Sequence, residues 1–382
     1  MHPMVKPALR RAWRERQTVQ FGVTPAHAVL VGPVDTATGS FLELLDGTRG
    51  LPLLREEARA MGLPDGRADA LVRRLTAAGV LDDMDAGGAA ADALRGRTRT
   101  VERLRPDLAS LSVVHPEPGA GMRLLAARRS MRVQVRGAGR VGAVVAALLA
   151  ASGVGRVDVL DGGCVREGDV APGGLPPECV GERRDAAAGR LVRRSAPGRA
   201  PGAAEHARRG EGPEPGLALV IVAPRDGLGA HAPDPRAAED WIATGTPHLY
   251  AGVIEATGLV GPLVLPGGTA CAGCVARMRA DRDLGWPRMR AQWGSGRRAT
   301  PVAACDLGLA TTVAGLTAAH ALSFLDGELP ASTGTRWEVS LPLLEWHSER
   351  VTPHPECPCG AAGRRAGERV AVEGAAQDTM AG

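Results

Sequence analysis

A glycine-rich turn between a strand-like and a helix-like segment constrains this chain more than any other feature. Residues 137–163 read GAGRVGAVVAALLAASGVGRVDVLDGG, and Gly137, Gly139 and Gly142 form a G-x-G-x-x-G pattern. The first glycine permits the turn, the second lets the backbone approach a phosphate, and the third packs the helix on the strand. Asp161 closes the next strand, where an acid accepts a ribose hydroxyl in dinucleotide-binding folds. The pattern predicts a nucleotide-binding fold and leaves open whether a nucleotide is bound.

Strand-like and helix-like segments alternate after residue 130. The strand patterns lie at 131–136, 156–161, 217–223 and 248–254, with helical patterns between them at 140–152, 183–194 and 235–244. This alternation predicts an α/β fold with an open, mostly parallel, Rossmann-like sheet that is covered on both faces. Further along, GLVGPLVLPGG (258–268) predicts a hairpin, 306–325 a long helix, and WEVSLPLLEW (337–346) more strands.

Residues 1–84 predict a small winged-helix-like α+β domain. Two β-like runs within 17–33 are separated by a Thr-Pro-Ala turn, and three helix-like segments follow at 36–45, 51–60 and 65–81. Such modules bind DNA in some proteins and serve as peptide-docking or structural modules in others.

The remaining boundaries follow from shifts in composition. Residues 85–128 lose the helical period and predict a linker with at most one helix. The nucleotide-binding-fold domain is then expected at 129–364, and an Ala/Gly/Glu-rich tail at 365–382 is expected to be disordered.

Composition argues against several classes of partner. The 382 residues carry a formal net charge of +4, and the arginines are scattered rather than gathered in a stripe, so no nucleic-acid partner is expected. The N-terminus lacks the apolar segment of a secretory signal, and the apolar run at 141–154 is too short to span a bilayer. A cytoplasmic protein without a membrane partner is therefore expected. Lys6 is the only lysine, so chemistry that needs a lysine deeper in the chain is unavailable.

Four cysteines have the spacing of a structural zinc site. Cys271 and Cys274 form a C-x-x-C pair, and Cys357 and Cys359 form a C-x-C pair. Four thiolates close the tetrahedral shell of Zn²⁺, which favours a structural ion over a catalytic one. Because C-x-C is tighter than the usual spacing, His354 is an alternative ligand. Unrelated thiols are the other reading of these cysteines.

Cys305 is a candidate nucleophile. It precedes the helix predicted at 306–325, and a helix N-terminus lowers the pKa of a thiol. A small buried residue is the alternative. His320, among Ala and Leu on the same helix, is interpreted as a packed histidine, and Cys164 and Cys179 have no partners at metal-ligand spacing.

Together these residues resemble the ThiF family, the ubiquitin-activating-enzyme-like adenylyltransferases. The resemblance covers about residues 130–362 and includes the glycine-turn helix, the strand that ends at Asp161, GERRDAAA at 181–188, the paired cysteines and HPECPCG at 354–360. Family members adenylate the C-terminal carboxylate of a small protein or peptide with ATP and Mg²⁺. The resemblance implies the same fold with a zinc-stapled C-terminal part.

The family's nucleotide-binding residues carry over only in part. Of two acids after the second strand, Asp161 keeps the first, and Gly163 replaces the second. In the family's Asn-Leu-x-Arg-Gln motif, whose polar side chains reach the phosphates, Asp169 replaces the asparagine and Pro172 the arginine. The family lysine falls on Arg184, which could hold a phosphate as a fork but is not an isosteric copy.

Two further family positions are matched less directly. Asp226 corresponds to the acid that helps to hold magnesium, although the asparagine that follows it in the family is Gly227 here. Cys305 matches the family's thioester or persulfide cysteine only if an insert at 277–304 is allowed. Transition-state stabilisation in adenylation is largely electrostatic, so the missing arginine and acid speak against bound ATP and Mg²⁺.

The substitutions are similar to those of ThiF-like domains in the biosynthesis of azole-containing ribosomal peptides (TOMMs, a class of RiPPs). There the domain is joined to a winged-helix peptide-recognition element, binds the leader of a precursor peptide and serves a YcaO-type cyclodehydratase that consumes the ATP. Residues 44–55 and 70–83 resemble such elements, and in that mode the leader adds a strand to the hairpin and packs against a helix. The resemblance thus implies an accessory protein with a degenerate adenylation site. It leaves open whether the protein forms a homodimer.

Two other functions stay open at this point. One is an active ATP-dependent adenylyltransferase that activates the C-terminal carboxylate of a peptide, a ubiquitin-like protein or a sulfur carrier. The other is a nicotinamide or flavin oxidoreductase, which rests only on the glycine turn.

Overall fold

A computed structural model describes residues 1–198, 216–295 and 302–363. The chain forms two compact units. The first consists of the described residues of Met1–Met131, Ala150–Arg156 and Ser195–Pro215, and the second of those of Arg132–Leu149, Val157–Arg194 and Gly216–Gly382. The tail expected at 365–382 lies outside the described residues.

The first unit begins with a small sheet followed by three helices. Its strands are β1 (Pro3–Val5), β2 (Arg11–Glu15), β3 (Thr18–Phe21) and β4 (Val29–Val31), and its first helices are α1 (Thr36–Glu43), α2 (Leu51–Ala60) and α3 (Arg67–Ala77). β3 pairs antiparallel with both β2 and β4. Fully buried Phe21, Phe41, Leu54 and Leu75 hold sheet and helices together. This is the predicted hairpin with three helices, to which the structure adds β2.

The third helix ends earlier than the sequence pattern suggested. Residues after Ala77 form β5 (Leu81–Asp83), which pairs antiparallel with β1. Gly79, at φ +72°, ends the helix in the left-handed conformation that favours glycine.

The structure differs from the linker expected at 85–128. This segment forms four short helices, α4 (Gly88–Arg95), α5 (Thr98–Arg103), α6 (Arg105–Val114) and α7 (Ala120–Arg128). They enclose a core of their own with Leu94, Leu104, Leu111 and Leu125. None of these four helices buries more than two large apolar residues, so no helical period emerges from the sequence even though the helices pack on one another.

The second unit is built on a seven-stranded mixed sheet. Its strands are β6 (Arg132–Arg136), β7 (Arg156–Leu160), β8 (Leu217–Val222), β9 (His248–Ile254), β10 (Thr257–Val264), β11 (Thr335–Ser340) and β12 (Glu345–Arg350). Their order is β12-β11-β10-β9-β8-β6-β7. β6, β8 and β9 are parallel, and β10, β11 and β12 extend the sheet antiparallel. The predicted α/β, Rossmann-like sheet is therefore confirmed.

The helices of this unit are α8 (Gly142–Ala151), α9 (Arg184–Ser195), α10 (Leu228–His231), α11 (Glu239–Ala243), α12 (Ala272–Arg282), α13 (Trp286–Gly294) and α14 (Leu307–Leu325). By length and composition α14 could cross a membrane. In this fold it packs on β9 and β10, with Val313, Ala314, Thr317 and Ala321 fully buried, as a core helix does.

The hairpin predicted within GLVGPLVLPGG is wrong. Residues 258–264 of this stretch belong to the single strand β10, whose register with β9 shifts between Val260 and Leu263. The shift accommodates Pro262, which lacks the N–H of a regular ladder residue. The hairpin turn lies earlier, at Glu255 and Ala256, which both have positive φ.

Candidate functional site

The glycine turn lies directly after β6 and is held against the end of β8. A Cβ on Gly137 would collide with the carbonyl oxygen of Ala223, which follows β8, and a Cβ on Gly142 would collide with the carbonyl oxygen of Gly137. Gly137 also has φ +109°. These two positions therefore require glycine for the fold itself, whether or not a ligand binds.

Asp161 lies after β7 with both carboxylate oxygens engaged by the protein. It accepts hydrogen bonds from the backbone N–H of Ala138 (2.8 Å) and of Gly163 (3.0 Å), and from Nε of Arg184 (2.9 Å). Its side chain is 9 % exposed. The acid that the pattern assigns to a ribose hydroxyl is thus already bound by the turn and by an arginine.

Arg184 opens α9 and bridges two acids. Besides Asp161, its guanidinium reaches Asp169, with 3.5 Å between Nη1 and Oδ2. A Cβ on Gly163 would collide with this guanidinium. The loss of the family's second acid at Gly163 and the position of Arg184 are therefore coupled, because the arginine fills the space that a side chain there would need.

Asp169 connects this bridge to the glycine turn. Its side chain is 2 % exposed, accepts from the backbone N–H of Arg166 (2.9 Å), and forms a short ion pair with Arg225. The Arg225 side chain lies against the turn, since a Cβ on Gly139 would be 3.2 Å from its Cγ. We call Asp161, Arg184, Asp169 and Arg225 the ion-pair network. Its two acids and two bases balance each other.

Asp226 is not brought into this network. It is exposed and accepts the backbone N–H of Leu228 (3.1 Å) at the start of α10. A Cβ on Gly227, at φ +73°, would collide with the backbone of Val253. The asparagine that the family has at this position therefore has no room in this chain.

Cys305 lies immediately before α14, as the sequence suggested. Its carbonyl oxygen accepts from Nη1 of Arg140 (2.7 Å), while Nε of Arg140 donates to the carbonyl of Gly168 (2.7 Å). Asp306 caps the helix by accepting the N–H of Leu309 (3.1 Å). Burial raises the pKa of the Cys305 thiol, the opposite of the direction expected from a free helix N-terminus.

The four predicted metal ligands meet in one cluster. The sulfurs of Cys271, Cys274, Cys357 and Cys359 all lie within 4.8 Å of one another. Neighbouring Sγ–Sγ distances are 3.9 Å for Cys271–Cys274 and 3.6 Å for both Cys271–Cys357 and Cys274–Cys359. Tetrahedral thiolates about 2.3 Å from a zinc ion would be about 3.8 Å apart. The cluster could therefore hold a metal ion without rearrangement.

The surroundings of the cluster exclude the alternative ligand. Nε2 of His354 is 2.8 Å from Asp281, and its Nδ1 accepts the N–H of Glu356 (3.1 Å), so neither ring nitrogen is left for a metal. Gly273 provides space for sulfur, because a Cβ there would lie 3.0 Å from Sγ of Cys357. The hydrogen bond between the two thiols lowers the pKa of Cys274 and raises that of Cys271, so one of the pair holds the thiolate that a metal needs.

The model of the ThiF family matches residues 116–359, more than half of the chain. The chain belongs to the ThiF family. Among curated proteins, none matches it.

Several solved structures are similar to this ThiF-family chain in fold. Escherichia coli MccB with ATP has a TM-score of 0.64 and 15% identity, covering 94% of this chain and 99% of MccB. The microcin C7 biosynthetic enzyme MccB in complex with N-formylated MccA has a TM-score of 0.65 and 14% identity, covering 94% and 100%. PaaA has a TM-score of 0.65 and 17% identity, covering 91% and 100%.

Sequence reasoning missed Arg225 and Arg140 in this ThiF fold. Both contact residues far away in the chain, Arg225 pairing with Asp169 and Arg140 donating to the carbonyl of Cys305. In a chain with arginines throughout, no local pattern distinguishes these two. The available signal was their position: each lies at the carboxyl end of a parallel strand, where open α/β sheets bind ligands.

Proposed function

We propose that this protein is a ThiF-like accessory protein that binds the leader of a ribosomal precursor peptide and presents the peptide to a YcaO-type cyclodehydratase in the cytoplasm. The observation that carries the proposal is the ion-pair network. It occupies the candidate nucleotide site with the protein's own charges, in an otherwise intact family fold.

The network argues against adenylation for an electrostatic reason. To bind a ribose hydroxyl, Asp161 would have to give up donors that hold it now, and a phosphate at Gly139 would have to displace Arg225. Arg184 stands at the family lysine position, yet its charge is already shared between two acids. Preorganised free charges are what stabilise an adenylation transition state.

A peptide partner is supported by the similarity to MccB, which has been solved with MccA. In this chain, the free strand edges of the first unit indicate where a peptide would add. β2 carries Arg11 and Arg14, and its register with β3 shifts between Trp13 and Glu15, both of which are devices that protect an edge from pairing. β4 has no charged residue and no such shift.

The β4 edge also has a helix beside it. Nη2 of Arg74, on α3, donates to the carbonyl of Gly32 directly after β4 (2.8 Å). The same helix face carries Ala70 and Ala77 at helical spacing, and Leu30 on β4 is 50% exposed. An extended leader could therefore hydrogen-bond to β4 and place apolar side chains against α3.

Leu30→Asp is expected to weaken binding of a candidate precursor peptide at least tenfold, because it places a charge beside the strand that the leader would add. Fluorescence anisotropy with the labelled peptide measures this. The matched control is Ala12→Asp, an exposed residue on the protected strand β2, which should leave affinity unchanged. Equal affinities for both variants would contradict a site at β4.

We also propose that the ion held by the cysteine cluster is a structural zinc. All four donors are sulfur, three of the four cysteines are buried, and their spacing suits a closed tetrahedral shell. A closed shell leaves no position for water or substrate, so the ion would tie α12 to the segment after β12 rather than take part in chemistry.

The alternative function is an active ATP-dependent adenylyltransferase, favoured by the similarity in fold to MccB, which has been solved with ATP. ATP–pyrophosphate exchange with Mg²⁺ and the precursor peptide separates the two. We expect exchange no greater than that of Asp161→Ala, whatever the peptide. Exchange that depends on Asp161 and Arg184, or that is lost in Cys305→Ala with the fold intact, would establish the alternative.

A further inference from the structure

A cleft in the first unit lies between β2 and α1. It has a volume of about 690 Å³, and its walls are formed by residues 11–17 and by one face of α1. Arg11 and Trp13 of β2 pair with residues of β3 whose side chains lie in the buried core, so both face the helical side of the sheet. All five residues of β2 are nevertheless exposed. The strand therefore extends past the helices and leaves an open cleft.

Trp13 supplies the apolar surface of this cleft. One edge of its indole lies against α1, because a Cβ on Gly39 would be 3.4 and 3.5 Å from two of its ring carbons. The residue is nevertheless 51% exposed, whereas Val34, which also lines the cleft, is buried. An aromatic or aliphatic side chain that entered the cleft would cover the indole. Tryptophans that are covered in this way contribute much of the binding energy of an interface.

The charges around Trp13 favour an acidic ligand. Residues 10–16 contain four arginines and one glutamate, a net charge of +3. The acids on the α1 side of the cleft are already engaged. Glu43 forms an ion pair with Arg11, and Asp35 caps the helix by accepting a backbone N–H. These two carboxylates therefore do little to neutralise the remaining arginines.

Two arginines of the cleft can pair with a ligand. Arg14 and Arg16 are exposed and form no hydrogen bond or ion pair with any residue that the structure describes. Each guanidinium could hold a carboxylate as a bidentate pair. A nucleic-acid strand carries a phosphate at every nucleotide, and these would meet Glu15, Asp35 and Glu43 in the same cleft. The cleft therefore favours an acidic peptide in which carboxylates alternate with apolar side chains.

The cleft is also within reach of the β4 edge. Val34 comes three residues after Val31, the last residue of β4, so the two are at most about 11 Å apart. The N–H of Val34 donates to the carbonyl of Gln17 (2.9 Å), which holds the segment after β4 across the turn between β2 and β3. A peptide that leaves the β4 edge at Val31 could therefore enter the cleft with about three or four more residues.

We propose that the cleft between β2 and α1 binds a second segment of the precursor peptide, an acidic stretch with an aromatic or aliphatic side chain that packs on Trp13. This second contact rests on the proposed function and extends it beyond the strand that adds to β4. Two linked contacts raise affinity, because the second forms at a high effective concentration. Ala12, which pairs with Gln20, faces the opposite side of the sheet, so its substitution does not alter the cleft.

Fluorescence anisotropy with a synthetic probe tests the cleft without the precursor. The probe is a fluorescein-labelled Asp-Glu-Phe-Asp-Glu-Phe peptide, titrated into the full chain at low ionic strength. Trp13→Ala and Arg14→Glu should each weaken its binding at least about tenfold. Arg99→Glu makes the same charge change at an exposed arginine of α5 and should alter binding less than about twofold. Thermal unfolding of each variant shows whether the fold is intact.

A candidate precursor peptide then separates the cleft from the β4 site. Its affinity should fall in Arg14→Glu as well as in Leu30→Asp. A precursor that depends on Leu30 and not on Arg14 would overturn the second contact and leave the proposed function standing. Precursors that bind no variant and no wild-type protein would overturn both. A probe that binds every variant equally, or a labelled oligo(dT) that binds more tightly than the probe and depends on Trp13, would overturn the acidic-peptide site whatever the precursor does.

Discussion

Replacing Cys274 with serine is expected to release the metal ion and to lower the free energy of unfolding of the second unit by more than about 4 kcal/mol. Cys274 is fully buried, and its sulfur lies within 4 Å of those of Cys271 and Cys359. Without the ion, the remaining thiolates repel one another in a buried site, and the segment that carries Cys357 loses its tie to α12. Elemental analysis should find about one zinc per wild-type chain, and denaturant unfolding measures the stability.

Two controls make this expectation specific. Cys305→Ser changes a thiol outside the cluster and should keep the metal. His354→Ala should keep it as well, because both ring nitrogens of His354 are bound elsewhere. Wild-type protein without a metal, or a Cys274→Ser variant as stable as the wild type, would contradict the prediction of a structural zinc site.

The cluster could be predicted from the sequence because each half of it is local. A C-x-x-C or C-x-C pair fixes two sulfurs within one turn, and the only long-range step is that the two pairs meet. The parallel strands could be predicted for a similar reason, since a continuous apolar run such as 217–223 indicates a buried strand. The glycine turn is likewise specified by neighbours in sequence, with Gly142 packed on the carbonyl of Gly137.

What could not be predicted depends on side chains from distant segments. The sequence shows that Gly163 replaces an acid, but not that Arg184 fills the vacated space and bridges Asp161 to Asp169. The position of Arg225 against Gly139 could not be predicted either, because the sequence does not show which acid an arginine will pair with. The helices of 88–128 were missed for a different reason, since each is too short to show a period and their core exists only when they pack together.

The register of the edge strands cannot be predicted from the charge pattern alone. The sequence marks β2 and β12 as similarly charged strands, yet only β2 has a shifted register. β4, short and uncharged, is the edge left for a peptide in the first unit.

Arg184→Ala is expected to cost about 3–5 kcal/mol of unfolding free energy, since it removes the shared counter-ion of two buried acids. Asp161 and Asp169 are 9 % and 2 % exposed, so solvent screens little of the repulsion that remains. Arg184→Lys should lie in between, because a single ammonium cannot reproduce the guanidinium fork. Urea unfolding of each variant measures these differences.

The neighbouring residue supplies the control. Arg183 also pairs with an aspartate, Asp185, but its side chain is 69 % exposed, so Arg183→Ala should leave the free energy of unfolding nearly unchanged. Adding Asp169→Asn to Arg184→Ala should recover part of the loss, because one of the two facing charges is then removed. If Arg184→Ala costs no more than Arg183→Ala, the network does not hold the site closed. The candidate nucleotide site would then be free to accept a ligand, and the ion pairs would not oppose adenylation.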